Sequence, residues 1–127
     1  DKDNRTPLHW AANKGHVDVS HILLESKATV DAPDKDNRTP LHWAAGKGNA
    51  EVAHLLLKSK ATVDALEKDN QTPLHFAAIA GHAEVAHLLL ESKATINALD
   101  KDDRTPLHWA AGNGHVEIVH LLLENKA

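Results

Sequence analysis

The chain has 127 residues, no cysteine and a formal net charge of -4 at pH 7, with 14 basic and 18 acidic residues. The lysines and arginines alternate with aspartates instead of clustering, so we expect no nucleic-acid partner, because neutralised phosphates supply most of that affinity. No apolar run approaches the ~20 residues that span a bilayer, and the start does not resemble a signal peptide. We therefore expect a soluble protein without a membrane partner, and the compartment stays open.

A segment of 33 residues recurs along the chain. The units span residues 1–33, 34–66, 67–99 and 100–127, and each contains the tetrapeptide Thr-Pro-Leu-His, which begins at Thr6, Thr39, Thr72 and Thr105. Units of this length fold by stacking on their neighbours, because one unit alone cannot bury its apolar face. The repeats predict a single domain over residues 1–127, and a functional surface instead of an enclosed pocket.

The first predicted helix of a unit is short, as the second unit illustrates. Thr39 can cap the free amides of a helix start, and Pro40 is tolerated where no N–H is needed. Gly48 favours the left-handed turn that ends a helix. These signals predict a helix from Pro40 to about Lys47.

A second helix is predicted from about residue 49 to residue 59, because its apolar residues fall on one side. That stripe contains Val52, Leu55 and Leu56, and charged residues with one histidine lie opposite. Residues 62–64 are β-prone, and the turn-forming residues 67–70 follow. This pattern predicts a two-stranded finger that leads into the next pair of helices.

The unit resembles the ankyrin repeat, and the resemblance covers the whole chain. It is carried by the tetrapeptide, the Ala-Ala pair after it, the glycine between the helices and the triple-aliphatic end of the second helix. The resemblance implies an all-α repeat solenoid of paired antiparallel helices with β-hairpin fingers. It also implies a non-enzymatic scaffold for protein–protein interaction.

Two departures from the ankyrin pattern concern glycine. The family usually has glycine at the fingertip and again after the second helix. This chain carries Asn or Asp at the first place and lysine at the second: Asn4, Asn37, Asn70 and Asp103, then Lys27, Lys60, Lys93 and Lys126. Asn and Asp tolerate positive φ better than lysine. Either the second helix closes differently or the chain tolerates a repeated strain.

The eleven histidines fall into three columns. The resemblance implies that the tetrapeptide histidines bond the nearby threonine and backbone: His9, His42, His75 and His108. Histidines after the inter-helix glycine tie neighbouring loops together in the family: His16, His82 and His115, with Asn49 in the second unit. The third column lies midway along each second helix: His21, His54, His87 and His120. A metal-responsive or pH-responsive array is an alternative for this third column, but no carboxylate or thiolate column completes a site, so we favour a solvated face and predict no metal.

An aromatic column runs through the first helices, at Trp10, Trp43, Phe76 and Trp109. Tryptophan is frequent at interface hot spots. The corresponding ankyrin position is usually a framework leucine, so we favour core packing with the indole N–H at a wet edge. The sequence has no nucleophile–base pair and no glycine-rich phosphate loop, so we expect neither catalysis nor a cofactor.

In ankyrin repeats the usual contact surface is the concave groove lined by the finger and the first helix. Mapped onto this chain, the candidate partner-binding residues are these: Lys2, Asp3, Arg5, Asn13, Lys14, Lys35, Asp36, Arg38, Gly46, Lys47, Lys68, Asp69, Gln71, Ile79, Ala80, Lys101, Asp102, Arg104, Gly112 and Asn113. The finger residues are almost the same in every unit, which fits a periodic partner, a weak partner or none better than a tailored one. A structural array without a dedicated ligand is therefore an alternative.

The terminal units keep the apolar pattern of the internal ones, including Ile22, Leu23, Leu121 and Leu122. Stacked arrays normally need terminal units with a polar outer face, so we expect weak end-to-end self-association. The near-identical units and the lack of methionine favour a designed, consensus-like or excised array.

Overall fold

A computed structural model describes residues 1–127 and contains eight α-helices and no β-strand. The helices follow one another in pairs: α1 (Pro7–Lys14), α2 (Val17–Glu25), α3 (Pro40–Lys47), α4 (Ala50–Lys58), α5 (Pro73–Ala80), α6 (Ala83–Glu91), α7 (Pro106–Gly112) and α8 (Val116–Glu124). None of the eight is long and apolar enough to cross a membrane.

The first helix of each unit begins at a reciprocal cap between threonine and histidine. In α3 the Thr39 hydroxyl oxygen accepts from the His42 main-chain N–H at 3.4 Å, and His42 Nδ1 accepts from the Thr39 main-chain N–H at 3.1 Å. Histidine here is the side-chain acceptor for the N-cap amide, a role that Glu or Gln usually has in a capping box. The helix ends at Gly48, whose φ is 73°. The predicted helix from Pro40 to about Lys47 is confirmed.

The second helices bury one side, as predicted. In α4, Val52 and Leu56 are completely buried, Leu55 is half-buried, and His54 and Lys58 are exposed. Helix α4 runs from Ala50 to Lys58, one residue shorter at each end than expected from the sequence, because residues 49 and 59 cap it.

Neighbouring units stack so that the first helices α1, α3, α5 and α7 form one row and the second helices form another. The core lies between the rows and is continuous from unit to unit. Ala44, Ala45, Ala77 and Ala78 have no exposed surface. Their small side chains let the first helices approach closely without voids.

The fingers contain no β-strand, so the predicted two-stranded hairpin is not found. The second finger is a tight turn closed by two main-chain hydrogen bonds of 2.9 Å, from Asp34 N–H to Arg38 O and from Asn37 N–H to Asp34 O. The Asp36 and Arg38 amides both donate to Asp34 Oδ1, at 2.9 Å each. A side-chain acceptor thus takes the donors that a strand ladder would use. The β-prone residues 62–64 likewise form a turn.

The four lysines after the second helices adopt positive φ, between 67° and 72°. Helix α4 shows why the chain accepts this strain. The Lys60 N–H donates to Leu57 O at 3.0 Å and the Ala61 N–H donates to Leu56 O at 3.0 Å. This is a Schellman closure, which requires a left-handed residue at the place of Lys60. The helix therefore closes as it would with glycine, and of the two alternatives the repeated strain is the one found.

We expect Lys60→Gly to raise the free energy of unfolding by about 1 kcal/mol, because glycine adopts the left-handed region without a Cβ penalty. The matched control is Lys58→Gly in the same helix, which is expected to lower it by about 1 kcal/mol because glycine is a poor helix former. Urea unfolding followed by circular dichroism measures both. A loss of stability in both variants would contradict the strain at Lys60.

Candidate functional site

Adjacent fingers are joined by a row of ion pairs and main-chain hydrogen bonds. Each finger's lysine contacts the aspartate of the preceding finger through Nζ–Oδ1 distances of 3.0 to 3.5 Å: Lys35–Asp3, Lys68–Asp36 and Lys101–Asp69. The same lysines donate their main-chain N–H to the carbonyl of that aspartate. The hydrogen bond and charge of Asp69 raise the pKa of Lys101. The repeated Lys-Asp of the fingers thus serves contacts within the chain.

A buried carboxylate lies at the base of the second, third and fourth fingers, at Asp34, Glu67 and Asp100. One oxygen of each accepts two finger amides, and in Asp100 the other accepts from the Trp109 indole N–H at 2.9 Å and from the Gln71 amide at 3.2 Å. Burial acts to raise the pKa of Asp100, but these hydrogen bonds outweigh it and lower the pKa to about 2. The Asp100 carboxylate therefore fixes the geometry of its finger in the ionised form.

Arginines of the fingers lie over the aromatic rings of the first helices. Arg5 Cζ is 5.4 Å from the Trp10 ring centroid and 5.1 Å from that of Trp43. Arg38 is placed the same way between Trp43 and Phe76. The buried Nε atoms of Arg5 and Arg38 have no hydrogen-bond partner, so stacking on the rings is their main attachment. The third unit has Gln71 at this place, which interrupts the row.

The aromatic column is half-buried at Trp43, Phe76 and Trp109, whereas Trp10 is exposed. The indole N–H of Trp43 donates to Asp34 Oδ2 at 3.2 Å. Packing inside the chain therefore occupies both the rings and the polar edges of Trp43 and Trp109.

The tetrapeptide histidines bond the nearby threonine, as the resemblance implied, and three of them also connect their unit to the next. Besides the cap at Nδ1, the Nε2 of His42 donates to the main-chain oxygen of Gln71 at 2.9 Å, and His9 and His75 make the equivalent bond. An Nδ1 that accepts from a main-chain N–H fixes the neutral tautomer protonated at Nε2. Burial lowers the pKa of His42 from 6.5 to about 4.

The residues after the inter-helix glycines also join neighbouring units. His115 Nε2 donates to Ile79 O at 3.0 Å, and the Asn49 amide donates to the Ala12 and Asn13 carbonyls at 2.7 and 3.1 Å. His82 packs against Gly48, where a Cβ would lie 2.5 Å from its Nδ1. Asparagine thus replaces the ring in the second unit without loss of the contact.

The candidate groove residues at the ends of the first helices are accessible to solvent. Lys14, Lys47 and Ala80 are exposed, and Gly46 and Ile79 are half-buried. Asn13 is half-buried, whereas Gly112 and Asn113 are exposed. A small hollow beside them is lined by Arg5, His9, Trp10, Asn13 and Trp43.

A family model described as ankyrin repeats (3 copies) matches residues 1–67 and 59–127, which together cover the chain. The chain belongs to the ankyrin repeat family. A comparison with curated proteins finds no match. Ankyrin repeat proteins generally mediate protein–protein interaction and are typically non-enzymatic scaffolds.

The outer face of this ankyrin repeat chain carries the third histidine column. His21 and His87 are exposed and lie 3.6 Å from Glu25 and Glu91, one turn along their own helices. No three His, Asp or Glu side chains converge with the spacing of a metal site. His21 and His87 thus pair within their own helices, whereas His54 and His120 have no such partner.

Sequence reasoning missed the base carboxylates and the stacked arginines. Both were visible as columns at the repeat period, an acidic residue before each finger lysine and an arginine five residues before each tryptophan. Their role depends on which side chains the stacking brings together, which one unit read alone does not show.

Proposed function

We propose that this chain is a protein-binding scaffold that acts as one ankyrin repeat domain, residues 1–127. Its partner contacts the groove between the fingers and the first helices. The observation that supports this is that some candidate residues already have partners within the chain and others do not. Finger lysines and aspartates pair with one another. The residues that differ between units lie accessible at the ends of the first helices.

The residues that differ between units make the groove basic on the first two units and apolar on the third. Lys14 and Lys47 are exposed cations on the first two units, and Ile79 with Ala80 forms an apolar patch on the third. The aspartates of the first two fingers, Asp3 and Asp36, are already paired with finger lysines. A partner segment with acidic side chains beside an apolar one fits this surface, because unlike charges steer association and an apolar anchor supplies the buried area.

Affinity capture with the intact chain, compared with Lys47→Glu and Ile79→Arg, tests the proposal. We expect both variants to lose the captured protein and to keep the melting temperature, because both positions are solvent-accessible. The matched control is His54→Ala on the outer face, which should capture as the wild type does. Equal capture by all four proteins, or none by the wild type, would favour a structural array without a dedicated ligand.

The near identity of the units supports a designed or consensus-like origin. In a binder of such origin, the frame would be held constant and the first-helix ends varied. Exchange of Asn13 and Lys14 for the corresponding residues of another unit would then change which partner binds and leave folding unchanged.

A further inference from the structure

Among the first three units, both walls of the groove are basic on the first two units and uncharged on the third. On the helix wall, Lys14 and Lys47 are the last residues of α1 and α3, and Ala80 has the same place on α5. On the finger wall, the first two units carry an arginine and the third carries Gln71. The two walls therefore change character at the same unit.

The cations of the first two units are available to a partner. Lys14 and Lys47 are exposed, and neither makes an ion pair within the chain. The guanidinium groups of Arg5 and Arg38 are held over the rings of the first helices, with Cζ 5.1 to 5.6 Å from the ring centroids. Arg5 has one long contact with a carboxylate, 3.9 Å to Asp3. Arginines that are already fixed in place need little further ordering when an acidic ligand binds.

The third unit offers an apolar place in register with the two lysines. Ile79 is half-buried and Ala80 is exposed. The main-chain oxygen of Ile79 already accepts from the side chains of Asn113 and His115. A partner side chain at this place therefore meets apolar side-chain surface.

The spacing of the units selects the conformation of a segment that contacts all three. Arg5 Cζ lies 5.4 Å from the Trp10 ring centroid and 5.1 Å from that of Trp43, so equivalent points on neighbouring units are on the order of 10 Å apart. A polyproline II chain has about three residues per turn and presents the same side every ~9 Å. A β-strand presents the same side every ~6.7 Å. An α-helix needs about seven residues to cover the distance, and its intervening turn would also face the groove.

Resting on the groove function proposed above, we propose that the partner segment is a polyproline II chain that places one residue in three on each unit. Two of these residues are acidic and pair with Lys14 and Lys47, and the next is apolar and packs on Ile79 and Ala80. The charges are complementary, and the apolar residue supplies buried area at one end. Lys47 lies between the other two places, so the middle residue is matched to it whichever way the segment runs.

Fluorescence polarisation with labelled synthetic peptides tests the spacing. The peptide Glu-Pro-Pro-Glu-Pro-Pro-Leu and its reverse carry the proposed pattern in the two chain directions, and we expect at least one of them to bind. Two controls have the same composition and charge. Glu-Pro-Glu-Pro-Leu-Pro-Pro shortens the spacing, and Glu-Pro-Pro-Leu-Pro-Pro-Glu moves the apolar residue to the middle. Each control should bind at least about fivefold more weakly, because it loses an ion pair and the apolar contact.

A charge exchange at Lys47 tests the alignment. Lys47→Glu should weaken binding of the original peptide by about fivefold or more. It should in turn bind a peptide whose middle glutamate is replaced by lysine, whereas Lys14→Glu should not. The matched control is Lys58→Glu, which makes the same change of charge at an exposed residue on the outer side of α4 and should bind as the wild type does. Circular dichroism checks that each variant is folded.

The results separate this inference from the groove function on which it rests. Equal affinity for the two spacings, rescue of the lysine peptide by Lys14→Glu, or binding of neither chain direction would overturn the polyproline II register. Capture of a protein partner that is lost in Lys47→Glu would still support the groove function in that case. Failure of the peptides and of the capture together would contradict both proposals.

Discussion

Replacement of Leu74 by alanine is expected to lower the free energy of unfolding by about 3 kcal/mol, because the side chain is fully buried between neighbouring units. Leu74 lies on α5, in the middle of the row, so the cavity weakens the packing of one unit against both neighbours. In a linear array the loss of an internal unit also separates the units on either side. Urea unfolding followed by circular dichroism measures the change.

The matched control for this substitution is Leu107→Ala, at the same place in the last unit. Leu107 is half-buried in the structure, whereas Leu74 is fully buried. We expect its loss to cost less than half as much, since less apolar surface returns to water. Equal losses at the two positions would show that stability does not depend on burial between units.

Acid is expected to destabilise the chain in two steps. The pKa of His42 is about 4 in the folded state against 6.5 as its ordinary value, because burial disfavours the imidazolium. The unfolded chain therefore binds more protons between these values, and stability present above pH 6.5 is lost as the pH falls towards 4. The shift corresponds to about 3 kcal/mol. The lowered pKa of Asp100 adds a second loss as the pH falls from 3.8 towards 2.

The geometry of the cap also opposes a proton on the buried His42 ring. His42 Nδ1 already accepts from the Thr39 N–H, so a proton on Nδ1 would face another donor. We expect His42→Gln, which can keep the capping acceptor, to flatten the loss of unfolding free energy between about pH 7 and about pH 4.5. His54→Gln on the exposed face should retain the full loss. If His42→Gln loses as much as the wild type, then His42 does not carry this step.

The sequence predicted the helices well, because their limits depend on local chemistry. Thr39, Pro40 and Gly48 begin and end α3 through their own backbones and side chains. The finger was predicted less well. Residues 67–70 indicated a turn, but β-propensity did not show that a carboxylate such as Asp34 would take the finger amides.

The candidate site was only partly predictable, because stacking brings together residues that are far apart in the sequence. Lys35 and Asp3 are far apart in the sequence, and only the pitch of the row brings Lys35 Nζ within 3.2 Å of Asp3 Oδ1. The prediction that the fingers face a partner therefore overlooked their contacts with each other. The positive φ of Lys60 stayed an open alternative because it depends on a closure made with Leu56 and Leu57.

The tryptophans of the aromatic column can report partial unfolding of the protein through their fluorescence. Indole fluorescence arises in the first, second and fourth units, and the third, with Phe76, contributes none. Trp10 is 42% exposed and its indole has no carboxylate partner, so we expect its emission to change less than that of the other two when its unit melts. Trp43 and Trp109 each lose a carboxylate partner and a cation above the ring on unfolding. Their spectral change therefore distinguishes fraying of the last unit from melting of the interior once either indole is replaced by phenylalanine.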